Sequence, residues 1–305
     1  MHDIIVVGGG TAGLTAAIYG LRANRSVLVL EKAAFGGQIA FSPRLENYPG
    51  IASVSGSEFA DRLLAQAMDL GCDTDVAEVV RLTDDGSIKT VHTDDGELYQ
   101  GRAVILATGA KHRRLGIADE DRLTGYGVCY CAVCDGDFYR GQDVVMVGGG
   151  NTALQEAIFL ADICSSVTVV QDLEHLTGEP ALQDKLEQKD NVRVLLGAKV
   201  KAFHERDGAV CGVTVVREAT DEEWAISAEG VFMAIGLEPD NARFSDVAAL
   251  DSQGYFDSDE RCLTATPGVF VAGDCRRKTV RQLTTATADG THAAIAACAY
   301  LRDLD

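Results

Sequence analysis

The chain has 305 residues, with 46 Asp and Glu against 27 Lys and Arg, a formal net charge of −19, and 47% hydrophobic residues. That composition can bury a sizeable core, predicts about two domains at roughly 150 residues each, and argues against nucleic acid or an anionic membrane as a general partner. No apolar run approaches the roughly 18 residues of a spanning helix, and the N-terminus lacks the basic region of a secretory signal, so a cytoplasmic protein is expected.

Ile4 to Val7 reads as a short apolar strand that runs into Gly8-Gly9-Gly10, and Leu14 to Ala23 then reads as a helix. A β-branched strand follows from Ser26 to Leu30. The spacing Gly8-x-Gly10-x-x-Gly13 in a strand-turn-helix context is a dinucleotide fingerprint: the glycines let backbone approach a pyrophosphate, which sits on the free N–H groups of the helix start. Glu31, at the end of the second strand, stands where an acidic residue holds a ribose 2′-OH, so this copy reads as a site for FAD or NAD. Short strands follow at Glu78 to Leu82, Ile88 to Thr93, Glu97 to Tyr99 and Ala103 to Ala107, with Asp84-Asp85-Gly86 and Asp94-Asp95-Gly96 as hairpin turns. The last strand ends on Thr108-Gly109, and Lys111 to Gly116 reads as a linker.

The chain has nine cysteines, an odd number, and only Cys131 and Cys134 have a spacing that implies chemistry. Cys-x-x-Cys lets two sulfurs meet across a helical turn and reads as a redox pair. Zinc is the rival, but a structural site needs four ligands, and with no second Cys-x-x-Cys or His pair and Cys129 a third ligand at most, no metal is expected. Asp135 is a candidate proton donor and acceptor for thiolate chemistry, or an ordinary carboxylate at a helix start. The remaining cysteines read as buried apolar side chains.

From Val144 the first motif repeats. Gly148-x-Gly150-x-x-Ala153 leads into a helix from Leu154 to Ala161 and a strand from Val167 to Val170. The position matching Glu31 is Gln171, followed by Asp172, and the loop to Thr177 contains no Arg or Lys. A 2′-phosphate needs cationic partners, and Asp172 and Glu174 would repel it, so NADPH is disfavoured. NADH with Asp172 on its ribose, an idle nucleotide fold, and Asp172 and Glu174 as solvated loop charges all stay open. Strands at Val192 to Leu196, Val200 to His204, Val213 to Arg217, Trp224 to Ser227 and Val231 to Ala234 follow, then a linker from Leu237 to Asp240. The tail holds a strand, Val269 to Ala272, then Gly273-Asp274 and a small-residue helix from about Leu283 to Tyr300, too little for its own domain. The expected fold is α/β, with two Rossmann-like, three-layer dinucleotide-binding domains, 113–240 inserted into a discontinuous domain of 1–112 and 241–305.

Two such folds, one inserted in the other, with Cys-x-x-Cys in the insert, resemble the low-molecular-weight thioredoxin reductases over essentially the whole chain. Gly36-Gly37-Gln38 and Glu46-Asn47-Tyr48-Pro49-Gly50 look like that family's flavin loop, and Ala107-Thr108-Gly109 like its strand end passing the flavin. Tyr130 to Gly136 looks like the dithiol segment, and Ala272-Gly273-Asp274-Cys275-Arg276 with Arg281-Gln282 like the C-terminal FAD motif. The resemblance implies FAD in the first copy, held by Gly8, Gly10, Gly13, Glu31, Gly37, Gln38, Asn47, Thr108, Gly109, Gly273, Asp274, Arg281 and Gln282. It implies Cys134 as the flavin-side sulfur and Cys131 as the one that attacks the substrate disulfide, with Asp135 beside them. It also implies thioredoxin as partner, a homodimer, and two domain orientations hinged at the linkers.

The sequence departs from the family at the second nucleotide site, assigned to Gly148, Gly150, Ala153 and Asp172, where NADPH-dependent members carry arginines. Relatives without them include ferredoxin-dependent flavin thioredoxin reductases, so NADH and reduced ferredoxin both stand as donors. An acidic ferredoxin would need a local cationic landing site, Arg276-Arg277-Lys278-Arg281 or Lys111-Arg113-Arg114. Two other readings compete: a flavin-dependent dithiol oxidase that passes electrons to O₂, and a non-catalytic redox sensor.

Overall fold

A computed structural model describes residues 1–42 and 45–305. The chain divides into two compact units, Met1–Lys111 with Glu238–Asp305, and His112–Leu237. The crossings fall one and three residues earlier than the linker reading placed them. Each unit is described by itself, following the chain.

The first unit opens with β1 (His2–Val7), α1 (Thr11–Arg22) and β2 (Val27–Glu31), then α2 (Gly56–Asp69), β3 (Asp73–Val76), β4 (Val79–Asp84), β5 (Lys89–Thr93) and β6 (Leu98–Leu106). The sheet order is β3-β2-β1-β6-β5-β4, parallel from β3 to β6 and antiparallel from β6 to β4. β1 reads as an unbroken apolar run because both its faces are covered. Ile4 and Val6 join the core under α1, while Ile5 and Val7 join the core on the opposite face with Val91 and Phe256. The two strands expected at Glu97 to Tyr99 and Ala103 to Ala107 are one, β6. It continues through Gly101 because a side chain there would put its Cβ 2.8 Å from Ile5, so only glycine permits the strand to pass.

The chain leaves this unit through β7 (Ala110–His112). The second unit contains α3 (Glu120–Leu123), β8 (Val128–Cys129), α4 (Ala132–Asp135), β9 (Asp143–Val147), α5 (Asn151–Ala161), β10 (Ser166–Val170), α6 (Pro180–Glu187) and β11 (Val192–Leu195). The antiparallel strands β12 (Ala198–Arg206), β13 (Ala209–Arg217) and β14 (Glu222–Ser227) follow, then β15 (Gly230–Met233). β11-β10-β9-β15-β8 form a parallel sheet, and β12-β13-β14 form a separate one. Val144, Met146, Val167 and Val169 pack on α5, and Val145, Val147 and Val170 pack on β13, so this sheet is also covered on both faces.

The chain returns through β16 (Leu237–Pro239), which pairs with β7, and finishes with β17 (Val269–Val271) and α7 (Leu283–Leu304). β17 adds to the first sheet beside the C-terminal half of β6, in parallel. α7 lies against α1 through small residues: a Cβ on Gly290 would sit 2.2 Å from the Ala12 carbonyl oxygen. No helix of the described residues is long and apolar enough to cross a membrane.

Candidate active site

The glycine-rich turns of the two units have the same construction. Gly8 and Gly148 take φ of +110° and +125°, where a side chain is strained. Their N–H groups donate to the carbonyls of Leu30 and Val170 at 2.8 and 2.9 Å. α1 and α5 start from extended Gly10 and Gly150 with no side-chain cap, so their first N–H groups stay available to an anion. A Cβ on Gly13 would lie 1.9 Å from the Gly8 carbonyl oxygen, which explains the third glycine, while Ala153 meets that requirement less tightly in the second turn.

The turns differ at their acidic position. Glu31 accepts the Gly9 N–H at 2.7 Å through Oε2 and the Ala33 N–H at 3.1 Å through Oε1, fixing the carboxylate at the turn. Gln171 is buried instead, its amide carbon 2.6 Å from where a Gly149 Cβ would be, and it donates to the His175 carbonyl at 3.5 Å. Asp172 and Glu174 are exposed. Thr177 and Gly178 both donate to the Gly149 carbonyl at 2.9 Å, folding the acidic loop back on the turn. Lys199 on β12 feels the charge of Asp172, but its ammonium is bound to Glu218 at 2.5 Å.

Around the first turn the structure gathers the other residues singled out from sequence. The Gly36 N–H donates to the Gly9 carbonyl at 2.8 Å, and a Cβ on Gly37 would lie 3.2 Å from Gly10. Gln38 donates to the Ala110 carbonyl, and Asn47 donates to Gln282 at 3.4 Å. Thr108 donates to buried Asn241 at 2.7 Å, and Gly109, at φ +70°, has open space beside it. Gly273 abuts Ala12, and Arg281 lies over the Tyr255 ring at 4.3 Å. Asp274 is the exceptional member. Its Oδ1 is buried without a hydrogen-bond partner among the described residues, its nearest cation is Lys278 at 3.8 Å, and burial pushes its pKa up.

Arg276 and Lys278, in one of the two cationic runs that a ferredoxin would need, are not surface charge. Arg276 binds Asp289 through two hydrogen bonds of 2.7 and 2.8 Å, and Lys278 adds a third at 2.9 Å, with all three side chains no more than 6% exposed. Arg277 pairs with Asp257 at 3.1 Å. The reading of Arg276 and Lys278 as part of a surface patch is therefore corrected; the sequence hides Asp289 because it comes from α7.

In the second unit Cys131 and Cys134 form a disulfide, with Cα atoms 5.3 Å apart. Cys131 is the N-cap of α4, and its sulfur accepts the Cys134 N–H at 3.2 Å. Burial lifts Asp135 to a pKa of about 6. Cys129 lies beneath, its sulfur 3.4 Å from the Tyr139 hydroxyl. The other free cysteines are buried except Cys211 and Cys298, which are half-buried; burial raises the thiols of Cys72 and Cys164 to about 11, which keeps them protonated and unreactive.

The sequence profile of the pyridine nucleotide-disulphide oxidoreductases matches residues 2–290. The chain is 38% identical over 304 residues to a thioredoxin reductase of Bacillus subtilis (strain 168), covering 100% of this chain and 96% of the relative. It belongs to this oxidoreductase family, in the thioredoxin reductase branch. The chain is also 39% identical over 302 residues to a 34.2 kDa protein in the rubredoxin operon of Clostridium pasteurianum, with 98% and 97% covered. The solved thioredoxin reductase from Streptococcus pyogenes MGAS5005 superposes with a TM-score of 0.94 at 37% identity, covering 99% of both chains. The chain is thus an oxidoreductase, and its family implies FAD and a pyridine nucleotide.

Proposed function

We propose that this enzyme is an FAD-dependent disulfide oxidoreductase that reduces thioredoxin, or a thioredoxin-like protein, through Cys131 and Cys134. The observation that carries this reading is the disulfide itself, seated at the start of a helical turn with Asp135. A helix-start N–H on the Cys131 sulfur favours its thiolate once the bond is reduced, which suits Cys131 as the attacking sulfur. Asp135, lifted to about 6, exchanges protons close to neutral pH and suits thiol chemistry.

The residues around Gly8 fit FAD. The uncapped start of α1 suits its pyrophosphate, and Glu31 keeps free lone pairs for a ribose. The orphan Oδ1 of Asp274 lacks only a hydroxyl donor, as a ribityl chain would supply. Gln38, Asn47, Arg281 and Gln282 would line the same molecule. When bound, FAD relays two electrons between a donor and the disulfide. Replacing Asp274 with alanine removes a buried, charge-assisted hydrogen bond of ~1.5–3 kcal/mol, so FAD should dissociate at least roughly tenfold more readily. The ratio of flavin to protein absorbance after dialysis reads this directly, and full retention would exclude Asp274 as a ligand.

For the donor, we read NADH ahead of NADPH. The α5 start has the geometry of the α1 start, and the loop over it offers carboxylates and a buried Gln171 where a 2′-phosphate would need cations. Asp172 is the candidate ribose ligand. Reduced ferredoxin is the rival, and the burial of Arg276 and Lys278 weakens it by taking two of the four cations out of one of its two docking runs. Anaerobic bleaching of the oxidised flavin band by equal concentrations of NADH, NADPH and reduced ferredoxin tests the assignment. NADH should bleach fast and NADPH at least tenfold more slowly; fast bleaching by NADPH overturns this reading of the loop, and bleaching by ferredoxin alone makes the second nucleotide fold a carrier for the dithiol.

A further inference from the structure

The residue that leads into the disulfide is held by a network that sequence patterning did not single out. β8 ends at Cys129, which pairs with Phe232 of β15, so the parallel sheet stops two residues short of Cys131. Tyr130 fills that gap, and its side chain is held at both the ring and the hydroxyl. The His112 ring lies 4.9 Å from its ring, and the Arg114 guanidinium sits over its face at 4.8 Å. The hydroxyl donates to Glu120 Oε1 at 2.8 Å and accepts from Arg114 Nη1 at 2.7 Å.

Glu120, the first residue of α3, is buried, and each of its carboxylate oxygens also has a backbone donor. Oε1 accepts the Leu115 N–H at 3.0 Å and Oε2 accepts the Gly116 N–H at 2.9 Å. One carboxylate therefore joins two stretches of this unit: the segment that follows β7, and the residue next to Cys131. Arg114 is secured in turn, with Nη1 donating to the Thr124 hydroxyl at 3.1 Å and lying 3.2 Å from Asp121. The Thr124 hydroxyl donates to the Glu120 carbonyl at 2.8 Å, which closes the ring of contacts. Both carboxylate oxygens and the phenol are thus satisfied, and a satisfied polar network holds one arrangement.

We propose that Glu120 and Tyr130 are positioning residues for the disulfide chemistry. The carboxylate fixes the Tyr130 hydroxyl, and Tyr130 fixes the extended backbone of Cys131, whose sulfur accepts the Cys134 N–H at 3.2 Å. The inference rests on the dithiol reading given above. Closing the disulfide is an intramolecular step, and its equilibrium depends on how often the two sulfurs meet, which a fixed Cys131 backbone raises. With glutathione disulfide as oxidant, its S–S bond breaks and one S–S bond forms between Cys131 and Cys134. Two electrons and two protons pass from the dithiol to two glutathione thiols. Loosening Tyr130 leaves both sulfurs in place but lets them meet less often, so the equilibrium moves toward the dithiol.

The test uses the flavin-loaded enzyme and its Y130F, E120Q and Y130F/E120Q variants. Each is equilibrated anaerobically in glutathione buffers of graded redox ratio, acid-quenched and alkylated, and the Cys131–Cys134 disulfide fraction is read by mass spectrometry. Y130F removes only the hydroxyl and leaves the ring on His112 and under Arg114. Its equilibrium constant for disulfide formation should fall at least threefold. The constant of E120Q should fall as far or further, and the double variant should match E120Q, because both changes break one link. A Y130F constant equal to that of the wild type overturns the proposal, even where E120Q is affected, because loss of the Leu115 and Gly116 contacts alone would give that result. Additive losses in the double variant would also overturn it, and if E120Q does not fold, Y130F decides. The readout involves no thioredoxin, so a wild type that fails to reduce thioredoxin sinks the functional reading and leaves this result standing.

Discussion

Serine in place of Cys131 should lower thioredoxin reduction on the order of 10³-fold or more, with flavin content unchanged. The size follows from the chemistry: only a thiolate attacks a disulfide at neutral pH, and a serine hydroxyl neither ionises there nor forms an exchangeable bond to sulfur. The turn should survive the change, because a hydroxyl oxygen can accept the Cys134 N–H that the sulfur accepts now. Flavin should be retained because the residues that fit it lie in the first unit, whereas Cys131 belongs to the second. Cys134→Ser should behave differently: Cys131 can still attack, but nothing resolves the adduct, so a covalent complex with thioredoxin should accumulate and disappear on adding dithiothreitol. Turnover by C131S within tenfold of the wild type would exclude Cys131 as the attacking sulfur.

What could be read from sequence was whatever depends on local spacing. Two strand-glycine-helix runs and one Cys-x-x-Cys state their chemistry within a few residues, the first run in one unit and the other two motifs in the second. What escaped depends on partners distant in sequence. β3, Asp-Thr-Asp-Val, has no apolar pattern and is a strand only because Leu28 to Glu31 pair with it. α2 is the exception, since its Ser55 cap, which accepts the Glu58 N–H, and its apolar stripe of Phe59, Ala60, Leu63, Leu64 and Ala67 are local signals. Distance also hides Asn241, which only the fold brings to Thr108. The same holds for Arg276 and Lys278, which look like surface charge until α7 delivers Asp289 between them. The donor question is also a matter of partners: Gln171 occupies the position of Glu31, and only the fold shows it buried against Gly149.

Asp289 carries the second large effect. It is 3% exposed and receives Arg276, Lys278 and the Gly273 N–H at 3.0 Å, so one carboxylate ties the C-terminal helix to the turn that presents Asp274. Burial alone would penalise its charge, but the hydrogen bonds from Arg276 and Lys278 prevail and hold its pKa below the ordinary carboxylate value. Asp289→Asn keeps the volume but leaves buried Arg276 without its counter-charge and Lys278 with only Asp274 at 3.8 Å, a class of change that costs ~3–5 kcal/mol. The melting temperature of the first unit should drop by roughly 10 °C. Because its folded pKa is depressed, the stabilisation from Asp289 is complete above the unfolded value of about 4 and is lost as pH falls below it. The wild type should therefore lose stability through that acid range, and D289N should show a flatter acid limb from a lower starting point. FAD should also leave the variant more readily, since Gly273 and Lys278 both depend on Asp289 and both flank Asp274. Thermal melts between neutral pH and pH about 3.5, followed by flavin fluorescence, separate these effects. Equal acid slopes in the two proteins would place the pH-dependent stability in other carboxylates.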